Sequence, residues 1–164
     1  MKRKYLTLFS LSGLVLCVDQ ITKAIVQSKL PEGYKTPLIP RLVGLTHLHN
    51  SGFAFGLWGH VPERFQDIFF IGVPIFALVL IVLIFIKLQD GQYLTSVALT
   101  TILSGAVGNL IDRIQFGYVT DILEIHVGDL FHFPAFNIAD GSIIVGVSIM
   151  FFHTLLTGGN RARP

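Results

Sequence analysis

The chain has 164 residues, of which 52% are apolar and only 13% are charged, and its net charge at pH 7 is +2. An ordinary soluble domain carries about 25% charged residues. This composition, with a mean hydropathy of +0.67, excludes a disordered chain and argues against a water-soluble globule. The small net charge and the lack of a basic stripe argue against a nucleic-acid partner. The length predicts a single membrane domain over 1–164.

Four stretches with few or no charges are long enough to cross a bilayer as helices, namely 6–26, 68–86, 94–111 and 141–160. A helix needs about 20 mainly apolar residues for this. The third stretch is rich in Gly, Ala, Ser and Thr, which let helices approach closely in lipid, so we predict it to be the central helix. The predicted fold is an all-α membrane protein, a bundle of four transmembrane helices.

The distribution of Lys and Arg predicts the orientation of these spans. Six of these residues occur in the nineteen positions of 1–5, 87–93 and 158–164, and five in the sixty-seven positions of 27–67 and 112–137. The positive-inside rule then places both termini in the cytoplasm and both long connections outside. In an alternative interpretation the basic N-terminus and the first apolar run form a cleaved signal peptide. Three further spans follow, which favours an uncleaved helix.

The outer connections are predicted to contain a small extracytoplasmic β-structured region. Apolar and polar residues alternate in Leu42–His49 and in Asp121–Val127, and 128–129 suggests a turn into a further strand. Residues 62–66 are predicted to open an interfacial helix. The apolar and aromatic segment 53–58 is expected at the lipid–water boundary, where we expect it to act as a flap over a bound substrate.

Charged groups close to hydrocarbon are costly, so acidic residues near the outer ends of the spans are candidate functional residues. Four are predicted at one depth of the membrane, namely Asp19, Asp112, Asp121 and Asp140. Asp19 shares a helix face with Lys23, which indicates an ion pair, with a direct substrate contact as the alternative. Asp112 can pair with Arg113 or with another helix. Asn109, one turn earlier, is expected to bond across the bundle.

Asp121 and Asp140 are the candidate catalytic pair. Asp140 precedes an uncharged run, so it is also a candidate N-cap for the fourth span. Asp121 lies beside apolar residues and needs a partner. If the two carboxylates meet, repulsion raises the pKa of one of them, so that one is protonated while the other is ionised. Such a pair can activate water and protonate a leaving amine.

Other chemistries have weaker support in the sequence. Cys17 has no histidine near it and is expected to be a core residue, and Lys23 already has a partner in Asp19. His47 and His49 have the spacing of neighbours on one strand face, which is compatible with a metal. No His-Glu-x-x-His helix occurs, so we expect neither a metal nor another cofactor.

Five short motifs occur in order along the chain: DQITK at 19–23, NSGFAF at 50–55, GNLIDR at 108–113, VTD at 119–121 and FNIAD at 136–140. Each motif alone is a weak signal, but together, on four spans, they are specific. With these motifs the chain resembles lipoprotein signal peptidase, the bacterial type II signal peptidase, over essentially its whole length.

The resemblance implies an aspartyl protease of the bacterial inner membrane that cleaves prolipoproteins before a cysteine already carrying diacylglyceryl. It implies that Asp121 and Asp140 are catalytic, that Asp19 and Lys23 form a structural pair, and that globomycin-like inhibitors bind. Positions that line or brace the family's site are matched by Asn50, Gly52, Phe55, Asn109, Asp112, Arg113, Asn137 and Ala139. We expect a monomer surrounded by membrane lipids.

Two other classes of function stay open from the residues alone. A small transporter or channel subunit with a carboxylate-lined path predicts acidic residues spread through the depth of the membrane. A structural or assembly subunit, whose acidic residues only form ion pairs, predicts that Asp121→Asn is folded and functional.

Overall fold

The structure is a computed structural model that describes residues 2–52, 68–127 and 131–161. Its elements in chain order are α1 (Arg3–Lys29), β1 (Lys35–Ile39), β2 (Val43–Asn50), a π-helical turn (Ile68–Gly72), α2 (Val73–Lys87), α3 (Tyr93–Phe116), β3 (Val119–Val127), β4 (Phe131–Phe136) and α4 (Ile138–Arg161). Within the described residues four helices are long and apolar enough to cross a membrane. The four helices predicted from the sequence are therefore confirmed, and each extends beyond its predicted bounds at one end or both.

The outer surface of the bundle is apolar. In α2 the only buried side chain is that of Phe85, and on α1 and α4 large residues such as Phe9 and Leu156 are 67% and 76% exposed. An apolar surface this extensive is suited to lipid rather than to water. Cys17 is also exposed, so the expectation that it lies in the core is wrong.

The interior of the bundle is built from small and polar residues of α3. This helix contacts α1, α2 and α4, as expected of the central helix. Gly105 lies against the backbone carbonyl of Ala139, and a Cβ atom at Gly108 would lie 2.8 Å from Oδ2 of Asp19. Because positions 105 and 108 are glycines, which have no side chain, α1, α3 and α4 approach one another closely around Asp19.

The four strands form one antiparallel sheet in the order β1-β2-β3-β4. The predicted alternation over 42–49 and 121–127 corresponds to β2 and β3. The strand β1 was not predicted, because its five residues include Pro37 and are mostly exposed, as is typical of an edge strand. The small β-structured region predicted beside the four helices is therefore present, and the term all-α describes only the spanning part of the chain.

The register of the sheet determines which polar residues reach the bundle. Leu48 of β2 pairs with Asp121 of β3, and Asn50 pairs with Val119. The end of β2 therefore lies beside the start of β3, next to the end of α3. The predicted interfacial helix at 62–66, the proposed flap at 53–58 with Phe55, and the turn at 128–129 lie outside the described residues.

Candidate active site

The C-terminal end of α3 directs the chain back toward the bundle. The helix ends at Gly117, which has a left-handed φ of 79° and donates its N–H to the carbonyl of Arg113 at 3.0 Å. The strand β3 then starts at Val119, and the N–H of Thr120 donates to Oδ2 of Asp112 at 3.0 Å. The next residue, Asp121, is thereby held beside α3 and is only 2% exposed.

The N-terminal end of α4 positions the second carboxylate. The side-chain oxygen of Asn137 accepts a hydrogen bond from the N–H of Asp140 at 2.9 Å. In return, Oδ2 of Asp140 accepts from the N–H of Asn137 at 3.2 Å. This reciprocal arrangement is a capping box. The expectation that Asp140 is the N-cap is wrong, because Asn137 caps the helix and Asp140 is its third residue.

Asn137 also joins Asp140 to Asp121. Its Nδ2 donates to Oδ1 of Asp121 at 3.0 Å. The other carboxylate oxygen of Asp121 accepts from Nδ2 of Asn50 at 3.0 Å, and Oδ1 of Asp140 accepts from Nδ2 of Asn109 at 2.7 Å. Three asparagine amides and one backbone N–H therefore hold both carboxylates, which lie nineteen positions apart in the sequence.

The surroundings of Asp121 bring its protonated form much closer to neutral pH than that of an ordinary aspartate. Burial raises the pKa of Asp121 to about 6, against 3.8 for an ordinary aspartate. The hydrogen bond from Asn50 opposes this rise, and the negative charge of Asp140 adds to it. The contribution of Asp140 means that the two carboxylates are close enough to interact electrostatically. A carboxyl with a pKa of about 6 beside a second carboxylate can both take up and release a proton close to neutral pH, which general acid–base chemistry requires.

Replacing Asn50 by Ala is expected to raise the pKa of Asp121 above about 6. The amide of Asn50 donates to a carboxylate oxygen and so stabilises the ionised form, which the variant lacks. The measurement is a pH titration of the side-chain carboxyl carbon in protein labelled with carbon-13 at Asp. A pKa that stays unchanged or decreases in the variant would contradict the prediction.

A buried ionic cluster lies behind the two carboxylates. Nζ of Lys23 is 2.9 Å from Oδ2 of Asp19 and 3.0 Å from Oδ2 of Asp112. Asp112 therefore forms its ion pair with α1, and not within its own helix with Arg113. Gln20 donates to both acids, to Asp19 at 3.1 Å and to Asp112 at 3.0 Å. Gln20 was not among the predicted site residues, although it lies between Asp19 and Lys23 in the motif at 19–23.

The two carboxylates of this ionic cluster accept hydrogen bonds from the backbone immediately before Asp121 and Asp140. Oδ1 of Asp19 accepts from the N–H of Ala139 at 2.9 Å. Asp112 accepts from the N–H of Thr120, as described above. Lys23 links the two acids, and its Nζ also donates to Oδ1 of Asn109 at 3.2 Å. This contact leaves the amide nitrogen of Asn109 directed at Asp140.

Two further residues predicted for the site, Arg113 and Gly52, lie at its border. The Arg113 guanidinium experiences the charges of Asp140, Asp112 and Asp121. The N–H of Gly52 donates to the side-chain oxygen of Asn50 at 2.9 Å. Gly52 has a φ of 81° and lies against the ring of Phe70, so a Cβ atom has no room there.

The two histidines considered as metal ligands bind protein groups instead. Nδ1 of His47 is 2.9 Å from the carbonyl of Leu30, and Nδ1 of His49 is 3.1 Å from Oε1 of Glu32. Among residues 2–52, 68–127 and 131–161, no three His, Cys, Asp or Glu residues are grouped so that they could hold a metal ion.

The chain is similar to known proteins over most of its length. The family described as Signal peptidase (SPase) II matches residues 11–156. A lipoprotein signal peptidase of Geobacter metallireducens is 39% identical over 150 residues, which cover 92% of this chain and 91% of the relative. One of Syntrophus aciditrophicus is 39% identical over 147 residues, which cover 90% and 91%.

Two solved structures have the same fold. Both are described as bacterial membrane enzymes solved by the in meso method, one at 1.9 Å and one at 2.3 Å resolution. The first has a TM-score of 0.81 and 32% identity, and covers 91% of this chain and 92% of its own. The second has a TM-score of 0.81 and 31% identity, with 96% and 93% covered. The chain therefore belongs to the signal peptidase II family of peptidases.

Proposed function

We propose that this chain is an aspartyl endopeptidase that removes signal peptides from diacylglyceryl-modified prolipoproteins by cleaving before the lipidated cysteine. The observation that carries this proposal is the contact of one residue, Asn137, with both Asp121 and Asp140. The family, and relatives named lipoprotein signal peptidase, support the class of substrate.

In the proposed reaction Asp121 and Asp140 share one proton. The ionised carboxylate takes a proton from a water molecule as the water oxygen attacks the scissile carbonyl carbon. The protonated carboxyl donates its proton to the carbonyl oxygen. When the C–N bond breaks, the carboxyl that took the proton from water gives it to the leaving nitrogen, which becomes the amino group of the lipidated cysteine, and the other carboxylate takes back the proton that it gave to the carbonyl oxygen. No covalent intermediate with the protein is needed. Asn50, Asn109 and Asn137 keep the carboxylates in place during these transfers.

The proposed location is the bacterial inner membrane, with both termini in the cytoplasm and the two carboxylates near the outer face. A lipidated precursor has its acyl chains in the bilayer and its scissile peptide at the bilayer surface. A site at the end of a helical bundle can contact both parts. We propose that the enzyme acts as a monomer among membrane lipids, and that globomycin-like inhibitors compete with the precursor at this site.

Incubation of the detergent-purified protein with a diacylglyceryl prolipoprotein is expected to yield a product that starts at the lipidated cysteine. The same precursor without the lipid is expected to stay intact, because the site recognises a substrate embedded in the membrane. Mass spectrometry of the products measures both outcomes. Cleavage of both precursors at equal rates would contradict the proposed specificity.

The same assay separates the proposal from the two other classes of function. A transporter subunit or an assembly subunit would cleave neither precursor. The acidic residues of the described spans are Asp19, Asp112 and Asp140, and the contacts above place all three at the end of the bundle that holds Asp121. This distribution supports a localised site more than a path across the membrane.

A further inference from the structure

A cavity of about 660 Å³ opens at the end of the bundle opposite the two carboxylates. It lies between the first residues of α1 and the connection from α2 to α3. One of its lining residues, Ser96, is sixteen positions before Asp112 on α3, a distance of about 24 Å along the helix. Its volume is in the range of small-molecule sites, ~300–1,000 Å³. The proposed peptidase reaction makes no use of this cavity.

The cavity has an excess of positive charge. Three cations, Lys2, Arg3 and Lys4, line it together with one acid, Asp90. The ammonium of Lys4 donates to the carbonyls of Phe85, Ile86 and Leu88 at 3.3, 2.8 and 2.7 Å, which caps the C-terminal end of α2 without a carboxylate partner in the residues that the structure describes. Lys2 and Arg3 are exposed, and neither has a carboxylate partner in the described part of the chain. An anion is therefore the ligand that suits this cavity.

A buried hydroxyl in the wall of the cavity also indicates a polar ligand. Ser96 is only 2% exposed, and its Oγ has no hydrogen-bond partner among the described residues. A buried hydroxyl without a partner is destabilising, so such groups usually have a partner that occupies the adjacent space. Ser96 lines the cavity but its Oγ is buried, so the hydroxyl would reach an oxygen of a bound anion after a change of the side-chain rotamer.

An apolar groove of about 430 Å³ starts at the same end of the bundle and extends along most of α4 toward the opposite end. It begins at Leu94, one position after Tyr93 of the cavity, and continues along α4 between Ile144 and Leu156. A cationic cavity beside an apolar, membrane-facing groove matches a molecule with an anionic head and a hydrocarbon tail. Soluble phosphate would bind in the cationic cavity and would leave the apolar groove empty.

We propose that this cavity binds the phosphodiester headgroup of an anionic phospholipid, whose acyl chain lies in the adjacent groove. Arg3 and Lys2 contact the phosphate, Lys4 adds its charge, and Ser96 donates to a phosphate oxygen. Asp90 has the opposite effect on binding, because its negative carboxylate repels the phosphate. This gives the proposal a test in two directions, with one variant that weakens binding and another that strengthens it.

The experiment titrates the full-length protein in detergent with phosphatidylglycerol or with phosphatidylcholine of the same acyl chains, and measures bound lipid by native mass spectrometry. Phosphatidylglycerol is expected to bind more tightly. Arg3→Gln and Lys2→Gln are each expected to weaken its binding about fivefold, Ser96→Ala to weaken it, and Asp90→Asn to strengthen it. Lys87→Gln is the matched control, because Lys87 is an exposed cation at the end of α2, next to the same connection, and does not line the cavity.

Three outcomes would overturn the proposal. Equal binding of the two lipids would show that the cavity does not select an anion. An effect of Lys87→Gln as large as that of Arg3→Gln would show that only the general surface charge matters. Displacement of phosphatidylglycerol by equimolar inorganic phosphate would show that the ligand is a soluble anion and not a lipid.

Discussion

Asp121→Asn and Asp140→Asn are each expected to lower kcat for cleavage of the lipidated precursor by about 10³-fold, since general acid–base catalysis contributes about 10²–10⁴. An amide can neither take the proton from water nor hand one to the leaving nitrogen. Because the two residues act as a unit, the double variant is expected to be about as slow as either single variant. Single-turnover cleavage in detergent, at saturating precursor, measures the rate.

The control for this prediction is Glu124→Gln, which removes a carboxylate from the same strand as Asp121. Glu124 is half-buried and its partners are Lys35 at 2.9 Å and Nε2 of His126 at 3.2 Å. Gln keeps the shape of Glu and can bond to the same partners, so cleavage by this variant is expected to stay within about twofold of the parent. Retention of more than a tenth of the parent rate by either Asp variant, with the fold preserved, would exclude the proposed mechanism.

The fold was predictable from the sequence where the membrane imposes strong rules. The cost of placing charge in hydrocarbon keeps four long stretches almost free of ionic groups, so the helices are readable. The same cost explains why Asp19 and Lys23 stand out within 6–26, and their spacing of four residues leads directly to the observed contact. The small residues of α3 likewise identify it as the central helix.

The partners of the acidic residues were less predictable, because they depend on how the elements pack. Asp112 has Arg113 beside it in the sequence, yet it contacts Lys23 of another helix. This contact exists because α1 and α3 approach closely at Gly108. The small residues of α3 predict a close approach of helices, but they do not specify which helix comes close at Gly108. The cap of α4 is different, because Asn137 and Asp140 have the local spacing of a capping box, and only the donation of the Asn137 amide to Asp121 depends on packing.

Lys23→Met is expected to lower the free energy of unfolding by about 3–5 kcal/mol, because it leaves buried charges without their partner. The variant would retain Asp19 and Asp112 as two carboxylates that are 0% and 1% exposed. It would also release the amide of Asn109, so cleavage is expected to decrease even at temperatures where the protein stays folded. Unfolding in mixed micelles by titration with a denaturing detergent measures the stability.

The matched control is Lys29→Met on the same helix, where the lysine is exposed and its removal is expected to change stability little. A second comparison separates lost charge pairing from lost packing. The triple variant Asp19→Asn, Lys23→Met, Asp112→Asn removes all three charges, and so is expected to recover part of the stability that Lys23→Met loses. If Lys23→Met were as stable as Lys29→Met, the cluster would not hold the three helices together, and the alignment of Asp121 with Asp140 would need another cause.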